Sequence, residues 1–175
     1  MASGVLAFDL SPSLCGWSYL HDATFVADAF DLGGVSTDLG GMGRALTGQV
    51  RTLRERFDPD RICYEAPILK PHDRLATLRC TYGLGMILET LADGWGIPCN
   101  EVDLRQIKRL LTGDQWADKK FVVKGIQSMG VALPPSDAAG RKDAADAAGC
   151  ALVSLQAVDP AAADVWLAKI KGWLL

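Results

Sequence analysis

Two short apolar runs that each close on a carboxylate constrain this chain more than any other feature: VLAFD ends in Asp9, and RICYE ends in Glu65. Both read as short strands buried in a sheet. An acid directly after such a run is costly unless something compensates its charge. The surrounding pattern supplies the rest of the sheet. Residues 4–10, 15–20 and 24–30 read as a three-strand meander, with His21 and Asp22 in a hairpin turn. DLGGVSTDLGGMG reads as loop. A helix is predicted from about Arg44 to Phe57, with Leu46, Val50, Leu53 and Phe57 on one face, and Asp58-Pro59 ends it. Residues 61–65 are a fourth strand, and Ala66 to Pro71 a loop with two prolines. A helix over about 74–93 is rich in small residues (Ala76, Gly83, Gly85), and residues 97–102 are a fifth strand. Shorter helices are predicted over 103–112 and 117–129, around a turn at Thr112–Gln115. After Pro134-Pro135, a helix runs over 141–157. A last amphipathic piece, 161–174, places Val165, Ile170 and Trp173 roughly on one side.

This order implies one α/β domain over residues 1–175. Its sheet is mixed and five-stranded, with a three-strand antiparallel meander and two parallel strands joined through helical crossovers. The chain's 175 residues suffice for one domain with a real core. With 49% apolar and 22% charged residues, the composition excludes a disordered chain or a coiled coil. No apolar stretch reaches about 18 residues, so no membrane partner is expected. No basic region precedes the first apolar run, so no secretory leader is expected. The five cysteines, Cys15, Cys63, Cys80, Cys99 and Cys150, contain no C-x-x-C pair. They read as buried small hydrophobes in a reducing, cytoplasmic setting. Two histidines are too few for a His-rich zinc site.

A net charge of −3 argues mildly against a nucleic-acid partner, but the distribution is uneven. Residues 51–79 hold seven basic and five acidic groups, and residues 103–124 hold six and three. In the second block Lys108, Arg109, Lys119, Lys120 and Lys124 gather around one turn. Such an edge can lie free in solvent; its functional reading is phosphate contact beside an acidic site.

Four carboxylates stand out: Asp9, Glu65, and the pair Asp143 and Asp146 in RKDAADAAG. The spacing of three puts the pair on one helical face. Any one of them taken alone reads better as a cap, a turn residue or a surface ion pair, and Asp143 as a partner of the helix dipole. Together, two strand ends and a helix start can converge, and four converging carboxylates repel unless cations neutralise them. Hard cations with oxygen ligands, Mg²⁺ or Mn²⁺, fit that demand, and two per site suit phosphodiester hydrolysis. Other chemistries lack support. There is no P-loop, no dinucleotide fingerprint and no nucleophile elbow. The five tryptophans are scattered, most of them assigned to the core or a partner surface.

These motifs together resemble the RuvC-type Holliday-junction resolvases of the RNase H-like superfamily, nearly end to end. LAFDLSPSLCGWSYL looks like that family's first strand, acid and second strand, and ICYEAP like its second acidic strand. IKRLLTGDQWADK is similar to its VK-x-x-x-T-G-x-x-x-A-x-K segment, and RKDAADAAGCAL to its D-A-A-D helix. The resemblance implies an RNase H-like fold. It implies catalytic, metal-binding roles for Asp9, Glu65, Asp143 and Asp146, and phosphate contacts for Lys108 and Lys119, with Arg109 and Lys120 beside them. It further implies a Mg²⁺-dependent homodimer that nicks two opposed strands of a four-way DNA junction, with Mn²⁺ able to substitute. The helix at 74–93 is the candidate dimer surface. Asp9-Leu10-Ser11 departs from the family's D-P-G or D-x-G and looks more like phage-encoded or divergent members. Where the family carries a junction-wedging aromatic, this chain has Ile68 and Leu69. The alternatives are a branched-DNA debranching or RNA–DNA hybrid nuclease of the same fold, a non-catalytic binding module, and a nucleotide-binding fragment of the sugar-kinase or actin type. The last lacks its phosphate-binding glycine loops.

Overall fold

The computed structural model describes residues 3–33, 38–68, 75–135 and 138–171. Five strands form one sheet: β1 (Val5–Asp9), β2 (Leu14–His21), β3 (Thr24–Asp31), β4 (Arg61–Glu65) and β5 (Cys99–Val102). Among the described residues six helices accompany it: α1 (Leu39–Phe57), α2 (Leu75–Gly94), α3 (Leu104–Thr112), α4 (Lys119–Ser128), α5 (Arg141–Val158) and α6 (Pro160–Lys171). The strand order is β3-β2-β1-β4-β5. The meander β1-β2-β3 is antiparallel, and β4 and β5 run parallel to β1. This is the mixed sheet expected from the sequence.

Alternation along the strands divides the core in two. Val5 and Ala7 face one layer with α3, α4, α5 and α6, while Leu6 and Phe8 face the other with α1 and α2. The first layer is built around α5, whose Ala144, Ala145, Ala148 and Ala151 are fully buried. Small side chains let this helix lie close to the sheet, and glycine completes the fit. A Cβ on Gly16 of β2 would stand 2.1 Å from the backbone of Asp143. A Cβ on Gly149 would stand 2.2 Å from Ile107 of α3. The Ser18 hydroxyl donates to the Ala147 carbonyl at 2.9 Å and ties β2 to the same helix.

Three expectations are corrected. The first concerns α1, which starts at Leu39, inside the glycine-rich stretch read as loop. Asp38 caps it by accepting from the Gly41 N–H at 2.7 Å, and Gly43 lies against Ile87 of α2, so a cap and a close contact outweigh weak helix propensity. The second concerns α6, which buries Ala163, Trp166, Leu167 and Ile170 and leaves Val165 65% exposed. Ile170 therefore sits on the core face and Val165 does not; Trp173 lies outside the described residues. The third concerns the cysteines: Cys15, Cys63, Cys80 and Cys150 are buried as expected, but Cys99 is only partly buried. No helix among the described residues is long and apolar enough to cross a membrane.

Candidate metal centre and its basic wall

The register of two neighbouring strands sets the first two acids side by side. Phe8 of β1 is opposite Tyr64 of β4, and both side chains enter the α1/α2 layer. One residue further, Asp9 and Glu65 must turn to the opposite face, toward α5. That helix passes over the strand ends with Asp143 in its first turn and Asp146 one turn on. Asp9, Glu65 and Asp146 each offer an oxygen within 4.8 Å of the others. Asp146 is only 1% exposed. Asp143 stands outside this trio, half-buried beside Asp9, which in its neutral form donates to it. The four acids expected from the sequence are thus together at one place, three in mutual reach and one at the edge.

The electrostatics follow from burial. Desolvation raises all four carboxyls. Asp9 is held well above its ordinary value, with repulsion from Glu65 and Asp146 added. Glu65 is pushed up to about 7 by burial and by Asp146, against the pull of Lys119. Among the described residues, Lys119 is the cation in direct contact with this cluster. Lys119, the first residue of α4, places its ammonium on the Asp146 carboxylate. Burial would lower the Lys119 pKa, but Asp146, Asp9 and Glu65 together raise it, so it remains charged.

One positive charge does not balance this cluster, and Glu65 Oε2 is buried with no hydrogen-bond partner. A buried carboxylate oxygen without a donor calls for a partner, and a cation is one that would satisfy it. All the donors are carboxylate oxygens, the set that hard divalent cations take. Asp9, Glu65 and Asp146 therefore fit a divalent metal.

The basic residues divide. The charge of Lys108, on α3, reaches Glu65 and Asp146 through space. Arg109 points elsewhere: it donates to Gln115 Oε1 at 2.6 Å and lines a separate cavity with Gln106 and Val153. Lys120 is exposed, 3.3 Å from Asp118 and over the Phe121 ring. Ile68, 45% exposed, stands at the mouth of the acidic cavity; Leu69 lies outside the described residues. The acidic cavity, about 250 Å³, is lined by Asp9, Glu65 and Lys119 and reaches Thr77 and Thr81 of α2. A second cavity adjoins it across Ala66–Ile68 and Leu104, with Lys108 and an exposed Trp116 on its wall. The sequence leaves Trp116 among the scattered tryptophans assigned mostly to the core or a partner surface; its place in the basic T-G-D-Q-W turn is the signal that sets it apart.

A mixed sheet in this order, flanked by helices, with acids at the ends of its first and fourth strands and on the helix across it, is the RNase H-like fold. Comparison with solved structures gives the nearer likeness. Thermus thermophilus RuvC matches with a TM-score of 0.64 at 20% identity, over 88% of this chain and 95% of that one. The same organism's RuvC in complex with a Holliday junction substrate matches with a TM-score of 0.67 at 15% identity, over 88% and 94%. The yeast mitochondrial Holliday junction resolvase Ydc2 matches with a TM-score of 0.64 at 15% identity, over 98% and 82%. No family model matches the chain, and no curated protein matches it. The chain shares the fold of the RuvC-type resolvases over most of its length, as the sequence motifs implied.

Proposed function

We propose that this protein is a structure-selective DNA endonuclease that resolves four-way junctions by Mg²⁺-dependent phosphodiester hydrolysis. The observation that carries the reading is the trio Asp9, Glu65 and Asp146, converging and short of positive charge, with Asp146 buried, the other two partly buried and Lys119 among them. The solved structures of like fold include a resolvase bound to its junction substrate, which supports branched DNA as the partner.

Asp9, Glu65 and Asp146 would hold the divalent cations, with Asp143 at the edge available to a second. What a bound Mg²⁺ or Mn²⁺ pair supplies is activation of water and stabilisation of the leaving oxygen. The chain's own residues do the rest. The carboxyls must lose their protons to act as ligands, so cation affinity rises with pH toward about 7, where Glu65 ionises. Lys119 holds Asp146 in place; with a cation bound to the carboxylates, its ammonium would be available to the scissile phosphate. Lys108 offers a second phosphate contact at the cavity's edge.

Paired nicks on opposed strands call for two sites related by a two-fold axis, hence a homodimer. The exposed face of α2 suits that contact: Leu75 is 74% exposed, Tyr82 46% and Met86 66%. Gly83 on the same helix has open space around it, whereas Gly85 is committed to Tyr64 of its own sheet.

A substrate panel tests the reading. A four-way junction, a flap, an RNA–DNA hybrid and matched duplex would each be incubated in Mg²⁺ and in EDTA. The proposal expects Mg²⁺-dependent cuts in the junction with duplex intact. Preferential cleavage of hybrid, or equal cleavage of every branched form, would replace it with a different nuclease of the same fold.

A further inference from the structure

We propose that Trp116 is a base-stacking platform, holding an unstacked nucleobase of the bound strand in the cavity beside the carboxylates. This rests on the reading of the site as one that handles DNA, and it adds a positioning residue to it.

Trp116 is 73% exposed, while Trp17 and Trp166 are 9% and 7% exposed. A large apolar ring left in water is not explained by the core. Nor is it loosely held. Gly113, at φ 77°, ends α3, and the Thr112 hydroxyl accepts from the Asp114 N–H at 3.1 Å. The same hydroxyl donates to the Lys108 carbonyl at 2.8 Å. Asp114 Oδ1 accepts from the Trp116 N–H at 2.9 Å, and Gln115 is held by Arg109. The turn is thus fixed up to the ring's attachment, so little backbone ordering remains to be done on binding.

The ring lines a cavity of about 560 Å³, with Ala66, Pro67 and Ile68 across from Leu104 and Lys108. Ala66, Pro67, Ile68 and Leu104 also line the carboxylate cavity, so a strand whose phosphate meets Lys119 continues directly into this space. The available charge also fits a nucleotide. Asp103 holds the Arg105 guanidinium at 2.9 Å, whereas Lys108 makes no ion pair among the described residues. An aromatic face on a hydrogen-bonded turn, next to an ammonium without an ion pair and beside a carboxylate cluster, is the combination that binds base and phosphate of one strand.

The test uses four-way junctions carrying 2-aminopurine at successive positions around the cut, bound in EDTA by wild type, Trp116→Ala and Trp116→Phe. Stacking on an indole quenches the probe. The proposal expects a quench at one or two positions with wild type, lost in Trp116→Ala together with a roughly 5- to 150-fold loss of affinity. Trp116→Phe should keep the quench and most of the affinity. Since the ring is exposed, both variants should melt as wild type does. If wild type cuts junctions while Trp116→Ala binds and quenches unchanged, the platform is overturned and the nuclease reading stands. If wild type neither binds nor cuts any DNA, both are overturned. A change in oligomeric state with DNA affinity unchanged would assign Trp116 to a protein interface and overturn the platform.

Discussion

Glu65→Gln should make the metal-free protein more stable while destroying its response to Mg²⁺. Burial beside Asp146 raises Glu65 from its ordinary 4.5 to about 7. In the unfolded chain the same group ionises near 4.5. Between those values the native state binds more protons than the unfolded one, so stability falls as pH rises. The loss is complete above about pH 7, and at about 1.36 kcal/mol per pH unit it amounts to about 3 kcal/mol. Glutamine keeps the shape and carries no charge, so the variant should be more stable by up to about 3 kcal/mol at pH 8 and little changed at pH 4. Urea unfolding in EDTA across that range reads the difference. Millimolar Mg²⁺ should then stabilise wild type through binding to the native state and leave the variant nearly unmoved. Equal stability differences at both ends of the pH range would refute the burial argument. Equal stabilisation of both proteins by Mg²⁺ would refute Glu65 as a ligand.

Other perturbations bear on neighbouring parts of the site. Lys119→Ala leaves Asp146 buried without its partner, so the variant should lose stability by roughly 3 kcal/mol at neutral pH in EDTA; its cleavage should also fall, and the salt slope of junction binding should shrink by about one. Unchanged unfolding midpoint and salt slope would sink that assignment. Gly16→Ala drives a Cβ into the backbone of Asp143 and should cost on the order of 3 kcal/mol, seen as a lower melting temperature and a weakened Mg²⁺ response; a variant that melts and binds Mg²⁺ as wild type does would mean that α5 can shift without moving Asp146. Asp143→Asn should impair cleavage less than Asp146→Asn, because Asp143 stands outside the converging trio; single-turnover rates that rank the other way would place the principal ligand at the helix start.

Much of this was legible in the sequence because local pattern and tertiary fold agree. The acids at positions 9 and 65 follow apolar strands, and strand alternation turns both to one face. The spacing of Asp143 and Asp146 put them on one side of a helix, but not which of them would be buried. That depends on how α5 rolls onto the sheet, which Gly16, the contact of Gly149 with Ile107 and the Ser18–Ala147 hydrogen bond decide through partners distant in sequence. The basic block shows the same limit. Lys119 and Lys120 are adjacent, yet helix geometry sends one ammonium to Asp146 and leaves the other in solvent beside Asp118. Arg109, one residue beyond Lys108, faces a different cavity. The start of α1 was hidden because glycines read as loop until Asp38 and Ile87 are seen holding them.

The most direct test of the account is strand-resolved, single-turnover cleavage of a synthetic four-way junction by wild type and Asp9→Asn, in Mg²⁺ and in EDTA. The account predicts nicks at symmetric positions on opposed strands by wild type in Mg²⁺ alone. It predicts a folded, junction-binding but inactive Asp9→Asn protein. Undiminished cutting by that variant, or by wild type in EDTA, would contradict the claim that the buried carboxylates form a metal-dependent nuclease centre.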